Sequence, residues 1–150
     1  MRFLLTAALF VAFGAPALAQ TAPASPYADP QPSISHPRKI VMSLSESAPA
    51  RINEVIGNAG NIQKFYGADN VTIVLVVYGP GIRAVLKADS PVAARIAGLL
   101  AIGVEVEACG ATLDTMHLGA DALLPGVPVV PNGLPEIVER QVRGYYYVRP

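Results

Sequence analysis

Residues 103–113 read GVEVEACGATL, and they indicate a strand that leads directly into a helix. The apolar residues alternate with two glutamates and then Cys109, which is the two-residue period of a β-strand. Gly110 permits a sharp exit from that strand, and Thr112 is a suitable N-cap for the short helix predicted after it. Cys109 therefore lies where a strand ends and a helix begins. The unpaired N–H groups of a helix start favour a thiolate over a thiol.

Strand and helix patterns alternate along the rest of the chain. The predicted strands are residues 39–44, 70–78, 104–109, a brief one within 125–131, and 145–148. The predicted helices are one of about five turns that starts near Pro49 and ends at Gly67, followed by 82–86, 91–102, 112–118, 120–124 and 134–142. The strand at 70–78 is apolar on both faces, as in the middle of a covered sheet. We predict a single three-layer α/β domain with a mainly parallel sheet of about five strands and helices on both faces.

The N-terminal residues predict export. A basic start, an apolar run at 3–13 and the sequence Ala-Leu-Ala at 17–19 are typical of a secretory signal peptide, with cleavage after Ala19. Retention of residues 1–19 as an anchor is the alternative, although the run is too short for a permanent membrane span. Residues 20–37 are rich in Pro, Ala and Ser and indicate a flexible tether. We therefore expect an exported, periplasmic protein whose folded domain comprises residues 38–150.

Charge argues against nucleic acid as a partner. The chain has 11 basic and 11 acidic residues, and loss of Arg2 with the signal peptide leaves 10 against 11, a formal charge of −1. Nucleic-acid binding normally needs a basic patch or stripe, which is absent from this sequence. Glu105 and Glu107 place charge on one face of a strand that a covered sheet would bury. We interpret this face as partly open, as a contact with another subunit, or as part of an edge strand.

Cys109 has two interpretations. A lone cysteine is often a small buried hydrophobe. A single cysteine in an exported protein instead suggests a reactive thiol or an intermolecular partner, because it has no partner for an internal disulfide. His117 follows eight residues later, and that spacing neither supports nor excludes a Cys–His pair. With one cysteine and two histidines, of which His36 lies in the tether, we expect neither a metal site nor a cofactor.

A crevice is predicted at the carboxyl ends of the strands, where parallel α/β sheets bind ligands. Tyr78 and Cys109 both lie at such ends, and Gly79 begins the tight turn that follows Tyr78. The turn lacks the spacing of a phosphate-binding loop. Asn58 and Asn61 lie three residues apart on the first long helix and can point a polar patch at the crevice. A solvated helix face is the alternative interpretation of these two residues.

Several ordered blocks resemble the DsrE/DsrF-like family. They are VYGPG at 77–81, GV at 103–104, ACGATL at 108–113, LPGV at 124–127, VVPNG at 129–133 and GYYYVRP at 144–150. The resemblance covers residues 38–150. It implies a small α/β domain that forms homo-oligomers, commonly trimers or hexamers. It also implies that a cysteine carries sulfur as a persulfide in sulfur-trafficking members, and Cys109 in the Cys-Gly-x-Thr-Leu block occupies that position. This chain departs from the well-understood relays in its export signal and in having no second cysteine.

Two functions follow from these observations. The first is a sulfur carrier or transferase that acts through Cys109 and exchanges sulfur with a donor or acceptor protein. Amides near Gly110 and the Thr112 hydroxyl would stabilise the thiolate, and Tyr78, Gly79 and Asn58 would line the site. The second is a non-catalytic oligomeric module that binds a small ligand or a partner and uses Cys109 only for packing.

Overall fold

A computed structural model describes residues 27–150 of the chain. The predicted signal peptide and the first part of the predicted tether, residues 20–26, lie outside the described residues. Within residues 27–150, no helix is both long and apolar enough to cross a membrane.

Five parallel strands form one sheet, which confirms the predicted fold class and makes the sheet entirely parallel. They are β1 (Arg38–Leu44), β2 (Val71–Val77), β3 (Glu105–Cys109), β4 (Val129–Val130) and β5 (Tyr146–Val148). Their spatial order is β4-β3-β2-β1-β5. The two central strands, β1 and β2, pair along their full lengths, from Arg38 opposite Val71 to Leu44 opposite Val77. Both are almost wholly buried, as their continuous apolar runs require.

Helices cover both faces of the sheet, with most of the core on one side. They are α1 (Pro49–Tyr66), α2 (Ala93–Ala101), α3 (Gly110–Thr115) and α4 (Gly133–Val142), with short 3₁₀ turns at Ala68–Asn70, Gly79–Val85 and Ala120–Ala122. The larger core includes the buried side chains of α1 and α2. The opposite core is small, and in it Ile137 of α4 packs on Val41, Val74 and Val76.

Some predicted helix starts differ from the structure. Thr112 does not cap a helix, because α3 already begins at Gly110 and Cys109 occupies its N-cap position. In α1 the N-cap residue is Ala48, which makes no side-chain cap, and Pro49 follows it at the first turn. Proline has no N–H to satisfy, so this helix start needs one hydrogen-bond acceptor fewer. Because Thr112 does not cap α3, its side chain is available for another contact.

Residues 27–37 lie against the domain. Tyr27 packs on Phe65 and Tyr66 at the end of α1, with ring centroids 5.5 Å from each. Its hydroxyl donates to the Phe65 carbonyl oxygen at 3.0 Å. Arg38 donates to the carbonyl oxygen of Ala28. The Tyr27 side chain thus attaches residues 27–37 to the domain, although their composition predicts a flexible tether.

The two glutamates of β3 are neutralised within the chain. Arg140 of α4 contacts the carboxylates of Glu107 at 2.5 Å, Glu105 at 3.3 Å and Glu136 at 2.7 Å. Part of the edge-strand interpretation also holds, because β4 pairs only with Ala108 and Cys109 and leaves the start of β3 open. The charged face of β3 therefore does not require a second subunit.

Candidate functional site

The parallel sheet brings the ends of β2 and β3 to one edge, and a cavity of about 450 Å³ opens there. Tyr78 directly follows β2, and Cys109 is the last residue of β3. The residues that line the cavity are Tyr78, Gly79, Pro80, Cys109, Ala111, Thr112, Thr115, Met116, Asn132 and Leu134. Tyr78, Gly79, Cys109 and Thr112 are thus brought together, as the sequence predicts.

Cys109 points toward α4. The N–H of Gly133, the first residue of α4, donates to the Cys109 sulfur at 3.2 Å. The cysteine is 3% exposed, so the sulfur lies at the floor of the cavity rather than on the surface. The thiol therefore contacts the start of α4, which is distant in sequence, as well as the start of α3, which directly follows it.

The pKa of the Cys109 thiol is lowered from its ordinary value. Burial alone would raise this pKa, but hydrogen bonds from the Thr112 hydroxyl and from the N–H groups of Gly133, Thr112 and Ala111 outweigh burial. The Thr112 oxygen itself accepts the N–H of Gly79 at 2.9 Å, which leaves its proton to point at the sulfur. Since α3 has only six residues, individual N–H groups rather than a long helix dipole favour the thiolate.

Two glycines permit this close packing. A Cβ on Gly81 would lie 2.3 Å from the Leu44 carbonyl oxygen, so only glycine lets the turn after β2 pass the end of β1. A Cβ on Gly133 would lie 3.1 Å from the Tyr78 Cβ and 3.3 Å from the Cys109 Cβ. The absence of a side chain at Gly133 therefore lets α4 approach the thiol.

Asn58 does not belong to this site. It is half-buried on α1 and is not among the residues that line the cavity. The physical reason is that α1 packs on one face of the sheet, whereas Cys109 points to the face covered by α4. The alternative interpretation of Asn58 and Asn61, a solvated helix face, fits better. Gly110 lies beside the end of β4, where a Cβ would be 3.1 Å from the Val130 carbonyl oxygen.

His117 does not line the cavity either. It is exposed in the turn after α3, with a φ of 55°. Within residues 27–150, the side chains that line the cavity are all uncharged, so the thiolate is stabilised there by neutral donors. In the part of the chain that the structure describes, no group of three or more His, Cys, Asp or Glu residues is arranged to hold a metal ion.

The sequence interpretation missed Asn132 and Leu134. Both line the cavity because β4 ends at the same edge as β2 and β3, and α4 starts there. The available signal was the Asn-Gly pair at 132–133, which follows an apolar pair and precedes a helix.

The fold and site define a class of small parallel α/β proteins with one cysteine thiol at the carboxyl edge of the sheet. The chain belongs to the DsrE/DsrF-like family, whose model matches residues 40–150. No curated protein is significantly similar to it.

Solved structures agree with this assignment. A protein of unknown function, MTH1491 from Methanobacterium thermoautotrophicum, is 32% identical, with a TM-score of 0.71 over 75% of this chain and 99% of that protein. The ychN protein from E. coli is 14% identical, with a TM-score of 0.63 over 76% and 99% of the two chains. BT1422 from Bacteroides thetaiotaomicron, a conserved protein of unknown function, is 21% identical, with a TM-score of 0.61 over 75% and 94%. The last two similarities concern the fold alone.

Proposed function

We propose that this protein carries sulfur as a persulfide on Cys109, as a carrier or transferase. The observation that supports this most is the Gly133 N–H, which donates to the Cys109 sulfur at the floor of the cavity. Together with the Thr112 hydroxyl it lowers the thiol pKa and so raises the fraction of reactive thiolate. Membership of the DsrE/DsrF-like family supports the same role for a cysteine at this position.

The chemistry is a transfer of sulfane sulfur without net oxidation. The Cys109 thiolate attacks the outer sulfur of a donor persulfide, R–S–SH. A new S–S bond forms on Cys109, the donor S–S bond breaks, and the donor leaves as the thiolate R–S⁻ with the electron pair of that bond. In the second half, an acceptor thiolate attacks the outer sulfur of the Cys109 persulfide and releases the Cys109 thiolate. The Gly133 N–H stabilises the sulfur anion before and after each exchange.

We assign the sulfur donor or acceptor to a protein thiol. The cavity lining is uncharged and largely apolar, so it holds no cation for a small anionic donor. A buried sulfur must also be reached through the cavity, which suits a cysteine on a protruding loop of a partner protein.

Mass spectrometry tests the proposal. Purified protein is treated with polysulfide, desalted and weighed intact, with Cys109→Ser treated in parallel. We expect wild-type protein to gain sulfur that a thiol reductant removes, and Cys109→Ser to gain none. The proposal is wrong if folded wild-type protein gains no sulfur while protein unfolded in denaturant does.

A binding module is the second candidate, and one observation favours it: Cys109 is only 3% exposed. In that case the thiol packs and the cavity holds a small ligand or part of a partner. The rate of alkylation separates the two functions. A carrier is alkylated by iodoacetamide in its folded state, whereas a packing cysteine reacts only as fast as the protein unfolds.

We propose in addition that the protein forms homo-oligomers through α4. Leu134, Val138 and Val142 are 56%, 54% and 77% exposed and recur every four residues, which forms an apolar stripe along the helix. We call these three residues the α4 stripe. Leu134 also lines the cavity, so a subunit seated on the stripe would lie at the rim of the Cys109 site.

Export remains part of the proposal. Its support is the signal-peptide pattern of residues 1–19. N-terminal sequencing of the protein from a periplasmic fraction should begin at Gln20. Recovery of Met1 on soluble cytoplasmic protein would contradict export without affecting the chemistry of Cys109.

A further inference from the structure

A basic pocket lies at the opposite end of the sheet from Cys109. β1 starts at Arg38 and β5 starts at Tyr146, and the residues around these two starts enclose a cavity of about 300 Å³. The polar side chains that line it are Ser35, His36, Arg38, Lys39, Arg143 and Tyr146, and none of the lining residues is acidic. We call this cavity the basic pocket. It is separate from the Cys109 cavity because the two share no lining residue.

The positive charges of the basic pocket are only partly neutralised. Lys39 forms no ion pair with any residue in 27–150, and its amino group lies 5.8 Å from the centroid of the Tyr145 ring. Arg38 donates to a neutral acceptor, the Ala28 carbonyl oxygen. The acidic residue of that segment, Asp29, accepts a hydrogen bond from Gln31 at 3.3 Å instead.

Among the cations that line the basic pocket, Arg143 alone contacts a carboxylate within residues 27–150. It shares this carboxylate, Glu136, with Arg140. Its Nη1 lies 3.4 Å from Glu136 Oε1, an oxygen that Arg140 already contacts at 2.7 Å. Arg143 is also 56% exposed in its side chain, so this contact is weak. Lys39 and Arg143 thus line the basic pocket with little compensating negative charge, whereas Arg38 also borders the neighbouring cavity that contains Ala28 and Asp29.

A local turn positions the remaining polar groups. Ser33 and His36 exchange two backbone hydrogen bonds, at 3.2 and 3.0 Å, and this closes a tight turn just before β1. Within the turn, the Ser35 hydroxyl lies 3.0 Å from His36 Nδ1. The segment that precedes β1 therefore supplies a hydroxyl and an imidazole to the same pocket as Lys39.

We propose that the basic pocket binds a phosphate-bearing ligand. A phosphate dianion suits the Lys39 ammonium and the Arg143 guanidinium, because a guanidinium donates through a planar fork and an ammonium acts as a compact point charge. Ser35 and His36 add further polar groups for the remaining oxygens. The phosphate belongs either to a soluble compound or to a phospholipid headgroup. This binding is independent of the sulfur chemistry proposed for Cys109.

Inorganic phosphate is the first probe. Amide NMR shifts of the purified protein are followed at constant ionic strength as phosphate replaces chloride. The variant Lys39→Gln/Arg143→Gln removes two cations from the pocket. The matched control, Arg83→Gln/Lys87→Gln, removes two exposed cations that do not line it. We expect saturable shifts near residues 35–39 and 144–146, roughly tenfold weaker binding in the pocket variant, and unchanged binding in the control.

A second measurement identifies the source of the phosphate. Sedimentation with phosphatidylglycerol vesicles is compared with phosphatidylcholine vesicles for the same proteins. Phosphate binding together with pocket-dependent phosphatidylglycerol binding supports the proposal and assigns a lipid headgroup, whereas phosphate binding alone assigns a soluble ligand. The proposal is overturned if wild-type protein shows no saturable phosphate shifts, even if it binds vesicles. It is also overturned if both double variants weaken binding equally. Lys39→Gln alone provides the same test if the double variant does not fold.

Discussion

The Arg140 guanidinium contacts the Glu107 carboxylate at 2.5 Å, and it thereby ties α4 to the strand that ends at Cys109. The same helix begins at Gly133, whose N–H donates to the Cys109 sulfur. The two contacts lie about two helical turns apart on α4. Because the ion pair holds α4 on β3, it also holds the donor that faces the thiol. The Glu107–Arg140 pair does not line the cavity, but it supports the site by holding α4 in place.

Removal of Arg140 should therefore affect both stability and the thiol. Arg140→Met leaves Glu107 buried without a partner, and we expect the free energy of unfolding to fall by about 3–5 kcal/mol. Urea denaturation measures this loss. The alkylation profile of Cys109 should also shift to higher pH, because the Gly133 N–H is less firmly held.

Arg143→Met is the matched control for this change. Arg143 contacts the same carboxylate of Glu136 but is 56% exposed, so we expect its loss to cost less than about 1 kcal/mol. Equal effects of the two variants would contradict a specific role of Arg140 in holding α4.

Glu107 should make stability depend on pH. Burial raises the pKa of this carboxyl, and Arg140 only partly opposes the effect. The second carboxylate oxygen has no hydrogen-bond partner among residues 27–150. The folded state therefore holds the proton more tightly than the unfolded state. The stability that Glu107 contributes is present below its unfolded pKa near 4.5 and is lost as the pH rises through the higher folded pKa.

Glu107→Gln tests this sign. The amide does not ionise, so the free energy of unfolding of the variant should improve relative to wild type as the pH rises above 4.5. Urea denaturation of both proteins at a series of pH values gives the difference and cancels the other titrating groups. A difference that stays constant with pH would show that folding does not shift the pKa of Glu107, and a change in the opposite direction would show that folding lowers it.

The sequence predicts the sheet and the cavity well because both depend on local patterns. The apolar runs that become β1 and β2 are buried on both faces, and strand ends in a parallel sheet share one edge. Tyr78 and Cys109 could therefore be placed together from their positions alone. Asn58 was misplaced because helix periodicity shows which residues share a face, but not which side of the sheet the helix covers.

The partners of the thiol could not be predicted for a different reason. Gly133 reaches Cys109 from 24 residues further along the chain, and Arg140 reaches Glu107 from 33 residues further. Such contacts depend on where α4 crosses the sheet, which a single sequence does not encode locally. The alternation of β3 marks its two glutamates as unusual for a covered strand, but their pairing with Arg140 exists only in the folded chain.

Thr112 should be a specific determinant of thiol reactivity. Thr112→Val removes the hydroxyl that lowers the pKa of Cys109, so half-maximal alkylation should move to higher pH. The change also leaves the Gly79 N–H without its acceptor, at a cost of about 1–3 kcal/mol in stability. Thr115→Val is the control, since Thr115 lines the same cavity but donates to the Ala111 carbonyl oxygen. The same shift in both variants would argue for a general change in cavity polarity.

Gly133 should tolerate no side chain. In Gly133→Ala the new Cβ lies 3.1–3.3 Å from side-chain atoms of Tyr78, Cys109 and Val76, so α4 or these side chains must shift by a few tenths of an ångström. We expect a loss of about 1–3 kcal/mol in the free energy of unfolding. Gly98→Ala, inside α2, meets no atom within 4 Å and should instead stabilise by about 0.5–1 kcal/mol through helix propensity. Thermal melting of the two alanine variants should therefore show shifts of opposite sign, and a neutral Gly133→Ala would mean that α4 is loosely held.

The α4 stripe should determine the oligomeric state. Val138 is the middle residue of the stripe and is 54% exposed, so Val138→Lys places a charge in any interface that covers it. Light scattering should report more than one subunit for wild-type protein at micromolar concentration and a smaller mass for the variant.

Ile102→Lys is the control, because Ile102 is similarly exposed at 47% but follows α2 on the other face of the sheet. A monomeric wild-type protein would contradict the oligomer, and an unchanged mass of Val138→Lys would place the interface elsewhere. Since Leu134 joins the stripe to the cavity, alkylation of Cys109 should also be faster in Val138→Lys if the second subunit narrows the cavity mouth.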